Sequence, residues 1–180
     1  MPRARKPTRE TRRETSAPPC LRETSKSLTL DRLSHLSPDG RPRMVDVSAK
    51  PVVRRRAVAE GRIALAPATV ALIRAGAVAK GNVLTTAELA GTMAGKRTGD
   101  LIPLCHPLGL DLLAVTADLA DDGVVMRAEA VVSARTGIEM EALTAVSVAL
   151  LTVYDMCKAV DKAMVIGPIR LVEKTKEALP

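Results

Sequence analysis

The stretch DLLAVTADLADDGVVMRAEAVVSA, residues 111–134, decides the fold. On both sides of Ala120-Asp121-Asp122-Gly123, apolar side chains alternate with small or polar ones. A period of two is what a half-buried strand requires. Asp-Gly is a favoured dipeptide for a tight hairpin turn. The spacing therefore predicts strands over Asp111–Leu119 and Val124–Ala134, paired antiparallel.

Working outward, Val52–Leu65 alternates in the same way and reads as a strand bent near Gly61. Ala68–Ala75 reads as a short helix, with Pro67 at its first position and Gly76 as its stop. Lys80-Gly81-Asn82 is a turn. A second helix opens with the capping box Thr85-x-x-Glu88 and runs to about Arg97, closed by Thr98-Gly99. Downstream, the longest helix is expected over Glu139–Val160 and a final strand over Gly167–Glu173. With the two early helices taken as one broken crossover, the order is β-α-β-β-α-β. That is an α+β, ferredoxin-like arrangement, an antiparallel sheet with helices on one face.

Composition narrows the function classes. Of 180 residues, 47% are apolar, enough for a packed core, yet there is no Phe, no Trp and only Tyr154. The core must be aliphatic. Modules that stack bases on several aromatic rings are disfavoured. The formal charge of +7 is concentrated: residues 1–29 carry eight Lys/Arg against three Glu. Residues 30–180 carry 19 basic against 17 acidic groups, a near balance that argues against a nucleic-acid partner. Residues 1–29 read as a basic, solvated and disordered tail, and residues 30–180 as one domain.

Arg12-Arg13 is followed by no apolar stretch, so no export signal is read there. The longest apolar run, Val146–Tyr154, is interrupted by Ser147 and Thr152 and is too short to cross a membrane. The three cysteines are unpatterned, and a reduced cytoplasmic setting is expected.

Several motifs fail on inspection. Gly91-Thr92-Met93-Ala94-Gly95-Lys96-Arg97 has three residues between its glycines and Arg after the lysine, so it is not a phosphate-binding loop. Gly91 and Gly95 instead share a helical face and permit close packing, while Lys96 and Arg97 suit the helix C-terminus. His35, His106, Cys20, Cys105 and Cys157 show no paired-ligand spacing, so no metal site is expected. Cys105 and His106 are adjacent in extended chain and point apart, a poor nucleophile–base pair. A lone histidine in a rigid loop is more often structural than catalytic, and spacing leaves its role open.

The long helix says more. Thr144, Ser147, Asp155 and Lys158 form a polar stripe on an otherwise apolar cylinder, with Asp155 and Lys158 facing the same way. Charges set into largely buried surroundings are site candidates. Glu141 and Asp155 lie fourteen residues apart, about 21 Å along a helix, so two subunits are needed if both meet one small ligand.

Five segments together carry a resemblance. They are Met44-Val45-Asp46-Val47-Ser48-Ala49-Lys50, Lys80-Gly81, Lys96-Arg97-Thr98 with Asp100 to Leu108, Thr136 to Ala145, and Tyr154 to Val160. In this order they resemble the cyclic pyranopterin monophosphate synthase family, molybdenum cofactor biosynthesis protein C, from about Leu33 to Lys174. The resemblance implies a ferredoxin-like subunit in a homohexamer, a trimer of dimers with active sites at subunit interfaces. It implies a lyase that takes the nucleotide-derived 3′,8-cyclo-7,8-dihydroguanosine 5′-triphosphate to cyclic pyranopterin monophosphate and pyrophosphate, with no redox cofactor.

By the same resemblance, Leu104, Cys105 and His106 form one substrate-binding loop, and Met140 with Glu141 another. Asp155 corresponds to the catalytic aspartate, and Lys80 and Lys158 to lysines that move protons. Such residue types suit ring opening and closure, which shift protons on nitrogens and hydroxyls. They also suit attack on an α-phosphorus, where cations meet growing charge. The chain departs from the family pattern in its long basic tail and in its ending, Thr175 to Pro180, where relatives carry a Gly/Ser/Lys-rich segment.

Overall fold

The computed structural model describes residues 39–179; the basic tail expected over 1–29, with Cys20 and His35, lies outside the described residues. The hairpin forms as β2 (Leu112–Ala120) and β3 (Gly123–Ala134), with Ala120 opposite Gly123. One detail differs from expectation. The two-residue link is Asp121-Asp122, and Gly123 is the first residue of β3 with φ 152°. A side chain there would overlap the carbonyl oxygen of Ile63 in the next strand. Gly123→Ala is expected to cost roughly 3 kcal/mol, from backbone strain plus overlap, read as a lower urea midpoint at unchanged m-value.

β1 (Val53–Ala64) pairs with β3 along its whole length and with β4 (Val165–Glu177) on its other edge. The sheet order is β2-β3-β1-β4, and every neighbouring pair is antiparallel. The β1–β4 ladder slips between Val58 and Ala59 and between Gly61 and Ile63, close to the expected bend. Gly61 has a second reason. A Cβ there would come within 2.8 Å of Val146 and 2.9 Å of Leu150 on the helix above.

The first crossover holds α1 (Pro67–Arg74), α2 (Val83–Gly95) and a short α3 (Thr98–Leu101); the second is α4 (Glu139–Cys157). The expected capping box is not used. Asn82 caps α2, accepting from the Thr85 amide at 3.1 Å. Glu88 instead reaches β2 and accepts from the Ala117 amide at 2.9 Å. An asparagine ahead of the threonine supplies a better-placed acceptor, which frees the glutamate. α2 also stops at Gly95 rather than Arg97, and α4 at Cys157 rather than Val160.

Both long helices cover one face of the sheet, which supplies Ala57, Ala59, Ile63, Val124, Met126, Ala128, Ala130 and Val132. α4 answers with Ala142, Ala145, Val146, Ala149, Leu150 and Val153, all fully buried. Without large aromatic rings, backbones must approach closely to exclude voids. Gly91 and Gly95 allow this: a Cβ on Gly91 would sit 2.8 Å from the Ala145 carbonyl oxygen of α4. By length and mean hydropathy α4 is apolar enough to cross a membrane, contrary to the reading of its interrupted run. About half of α4 is buried, mainly against the sheet and α2, while Leu151 stays exposed.

The uncovered face is charged. Arg56 bonds Glu129 at 2.6 Å and Glu173 at 2.5 Å, while Glu60 meets Arg170 at 3.3 Å and Arg127 at 3.8 Å. These pairs bridge β3, β1 and β4, and partial exposure keeps each contribution small.

Candidate active site

The loop between α1 and α2 turns back through two residues of positive φ, Gly76 (63°) and Gly81 (97°). Lys80 therefore projects toward the end of α4. Its Nζ donates to Asp155 Oδ2 at 2.7 Å and to the Asp155 carbonyl oxygen at 2.8 Å. Lys158, one turn beyond Asp155, bonds Oδ1 at 2.7 Å. Each carboxylate oxygen thus faces one ammonium group.

All three side chains are about half exposed, so the cluster is open to a ligand. The Lys158 bond first, then Lys80, holds the Asp155 carboxyl down at about 2. The same bond pushes Lys158 above the ordinary lysine value. At neutral pH the cluster is a carboxylate between two ammonium ions, carrying one net positive charge.

A buried anchor stands behind it. Asp161, just past α4, accepts from the Ala66 amide at 2.8 Å, from Thr69 Oγ1 at 3.1 Å and from the Ala163 amide at 3.0 Å. These backbone donors keep its carboxyl ionised, below the ordinary value, although only 5% of the residue is exposed. The start of α1 is thereby tied to the end of α4.

The other expected residues gather at the opposite end of α4. Glu139 and Glu141 occupy its first turn, and Glu139 pairs with Lys174 of β4. Glu141 is 4% exposed, and burial raises its carboxyl above the ordinary value. It lines a small cleft of about 70 Å³ with Lys96, Arg97, Thr98, Asp100, Pro107 and Leu108. Met140 is exposed, while Leu104, Cys105 and His106 are half-buried. Burial, then Glu141 and Glu139, pushes the Cys105 thiol up. His106 Nε2 bonds the Val45 carbonyl oxygen at 2.9 Å, beside a hollow lined by Met44 to Ser48 and Arg135.

The pH dependence of Glu141 follows from its environment. A carboxyl raised on folding is destabilising once ionised, so its cost enters as pH rises through the unfolded and then the folded value. Glu141→Gln is expected to melt above the parent at pH 8 and together with it near pH 4, by calorimetry across that range.

The structure brings Lys80, Asp155 and Lys158 together, and it brings Cys105 near Glu141. It does not join the two groups within one chain, since α4 separates them by about 21 Å. Sequence reasoning missed the Glu139–Lys174 pair and Glu88. A signal existed for the first: strand alternation puts Lys174, opposite Ala57, on the helix-covered face, where a cation needs a partner.

The subunit is thus an antiparallel α+β domain with a lysine–carboxylate–lysine cluster at one end of α4 and a cleft of mixed charge at the other. Residues 44–177 match the MoaC family model. The chain is 56% identical over 144 residues to "Cyclic pyranopterin monophosphate synthase 3" of Mycobacterium tuberculosis (strain ATCC 25618 / H37Rv), covering 79% of this chain and 81% of that one. It is 54% identical over 145 residues to "Cyclic pyranopterin monophosphate synthase" of Novosphingobium aromaticivorans, covering 81% and 92%. The protein of that name from Chloroflexus aggregans is 53% identical over 148 residues, covering 81% and 90%. The chain belongs to the MoaC family.

Proposed function

We propose that the chain is a lyase of molybdenum cofactor biosynthesis. It converts (8S)-3′,8-cyclo-7,8-dihydroguanosine 5′-triphosphate to cyclic pyranopterin monophosphate and releases pyrophosphate. The observation that carries this reading is Asp155 held between Lys80 and Lys158 at 2.7 Å each, in a chain of this family. The cluster holds a fixed, ionised carboxylate that orients two cations, and the cations meet phosphate charge.

In this reading Lys158 donates a proton and Asp155 orients or accepts, because the carboxylate favours protonated Lys158. Leu104, Cys105, His106, Met140 and Glu141 bind the substrate. The distance between the ends of α4 supports sites shared between subunits of a homohexamer, one copy giving the lysine cluster and its neighbour the Glu141 cleft.

The test is incubation of purified protein with the cyclic dihydroguanosine triphosphate, followed by mass spectrometry. One pterin monophosphate per pyrophosphate is the expected yield, and unchanged substrate would overturn the reading. Mixing inactive Asp155→Asn and Glu141→Gln subunits is expected to restore part of the activity; no recovery after verified subunit exchange would sink the shared site.

A further inference from the structure

The motif Met44 to Lys50 has no role in the reading above, yet the structure ties it down at several points. Asp46 Oδ1 accepts from the Ser48 amide at 2.9 Å, and the Lys50 amide donates to the Val47 carbonyl at 3.0 Å. The segment is thus folded into a turn of its own. Arg135 Nε donates to the Lys50 carbonyl at 3.0 Å and anchors one end to the residue after β3. At the other end, Val45 offers its carbonyl to His106 across 61 positions of sequence.

That last bond has a chemical consequence. A carbonyl oxygen can only accept, so the ring nitrogen facing it must carry hydrogen. Neutral imidazole has one protonated nitrogen, and here it is Nε2, leaving Nδ1 with its lone pair. Arrangements of this kind fix a histidine's tautomer and ring orientation through the group on its far side.

We propose that residues 44–50 form a positioning strap that holds His106 in the Nε2–H tautomer, so that Nδ1 accepts a hydrogen bond or proton from the substrate. The inference rests on the reading that residues 104–106 bind substrate. Val45, Asp46 and Arg135 act as positioning residues, and His106 Nδ1 is the group that touches the ligand. His106 lines a hollow with the strap and Arg135, so the ring lies at an open surface while Nε2 is held by Val45.

The test uses the full chain carrying His35→Gln, so that His106 is the sole imidazole. Long-range proton–nitrogen spectra at alkaline pH distinguish the nitrogens, since Nε2 couples to both ring C–H protons and Nδ1 strongly to one. The expected result is a protonated Nε2 and a bare Nδ1 with no detectable second form in the parent, and a minor Nδ1–H population appearing in Asp46→Ala/Arg135→Gln as the ring relaxes to the free-imidazole mixture. A protonated Nδ1 in the parent would overturn the proposal whatever the activity.

Kinetics with the cyclic dihydroguanosine triphosphate supply the second arm. His106→Asn keeps an acceptor near the δ position, whereas His106→Gln keeps a donor for Val45 but loses that acceptor. Asparagine is expected to retain about tenfold more kcat/KM than glutamine. The reverse order would overturn the proposal by showing that the strap bond alone matters. Parent activity in both variants, with the tautomer as expected, would instead overturn the substrate-binding reading of residues 104–106.

Discussion

Asp155→Asn is expected to lower kcat by about 10²–10⁴-fold while leaving the melting temperature within about 2 °C of the parent. The substitution is isosteric, and the half-exposed side chain contributes little to packing. What disappears is charge. The carboxylate that accepts from Lys80 and Lys158 becomes an amide, and two ammonium groups are left repelling each other. Lys158 loses the bond that raises it, so it gives up its proton at lower pH.

The sign of the pH dependence separates these effects. A carboxyl held at about 2 is ionised at any pH where the enzyme works, so Asp155 places no acidic limb on the parent's profile near pH 5. Its interaction is present above the unfolded value of 3.8 and fades only as pH falls through about 2. The raised Lys158 is protonated below its ordinary 10.5 and loses the interaction as pH climbs through its folded value. The parent's alkaline limb is therefore expected to move to lower pH in Asp155→Asn. A kcat–pH profile identical to the parent's would remove the cluster from the chemistry.

Gly91→Val is expected to be the most destabilising single change on the α2–α4 seam. A Cβ at this position meets the Ala145 carbonyl oxygen at 2.8 Å, and Ala149 Cβ and Val115 Cγ1 at 3.1 Å. The nearest atom is backbone, which cannot rotate aside. α2 must lift from α4 and β2, opening voids along a seam built from alanines and glycines. Overpacking commonly costs 1–3 kcal/mol, and valine adds two methyl groups to an overlap that Cβ already causes. A loss of about 3 kcal/mol or more, seen as a melting temperature lower by about 6–12 °C, is the expected outcome. Met93→Ala, on the exposed side of the same helix, is the control and should shift little.

The parts of this fold legible in the sequence are those with local causes. The β2–β3 hairpin follows from alternation around Asp121-Asp122, and α1 from Pro67 and Gly76. Gly91 and Gly95 announce a close helix contact because nothing else explains two glycines on one helical face. Where two local signals compete, reading alone picks badly: Asn82 displaces Thr85 as cap, and Gly123 enters β3 instead of closing the turn.

The candidate site shows the same division. Asp155 and Lys158 are a turn apart on one helix, so their meeting is visible in spacing. Lys80 is 75 positions from Asp155, and only the path of the Gly76–Gly81 loop brings it there. The Val45–His106 and Glu139–Lys174 contacts are likewise products of tertiary packing. Resemblance to a family could suggest Lys80, but no periodicity in this chain could have derived it.

Asp161 ties the stability of one region to the chemistry of another. Its carboxylate grips the first turn of α1 from beyond the last turn of α4. Amide protons at the two places are expected to share an opening event, with deuterium entering residues 66–70 and 157–163 at matched rates. Thermal fraying at either place is expected to loosen the first turn of α1 and the segment after α4 together.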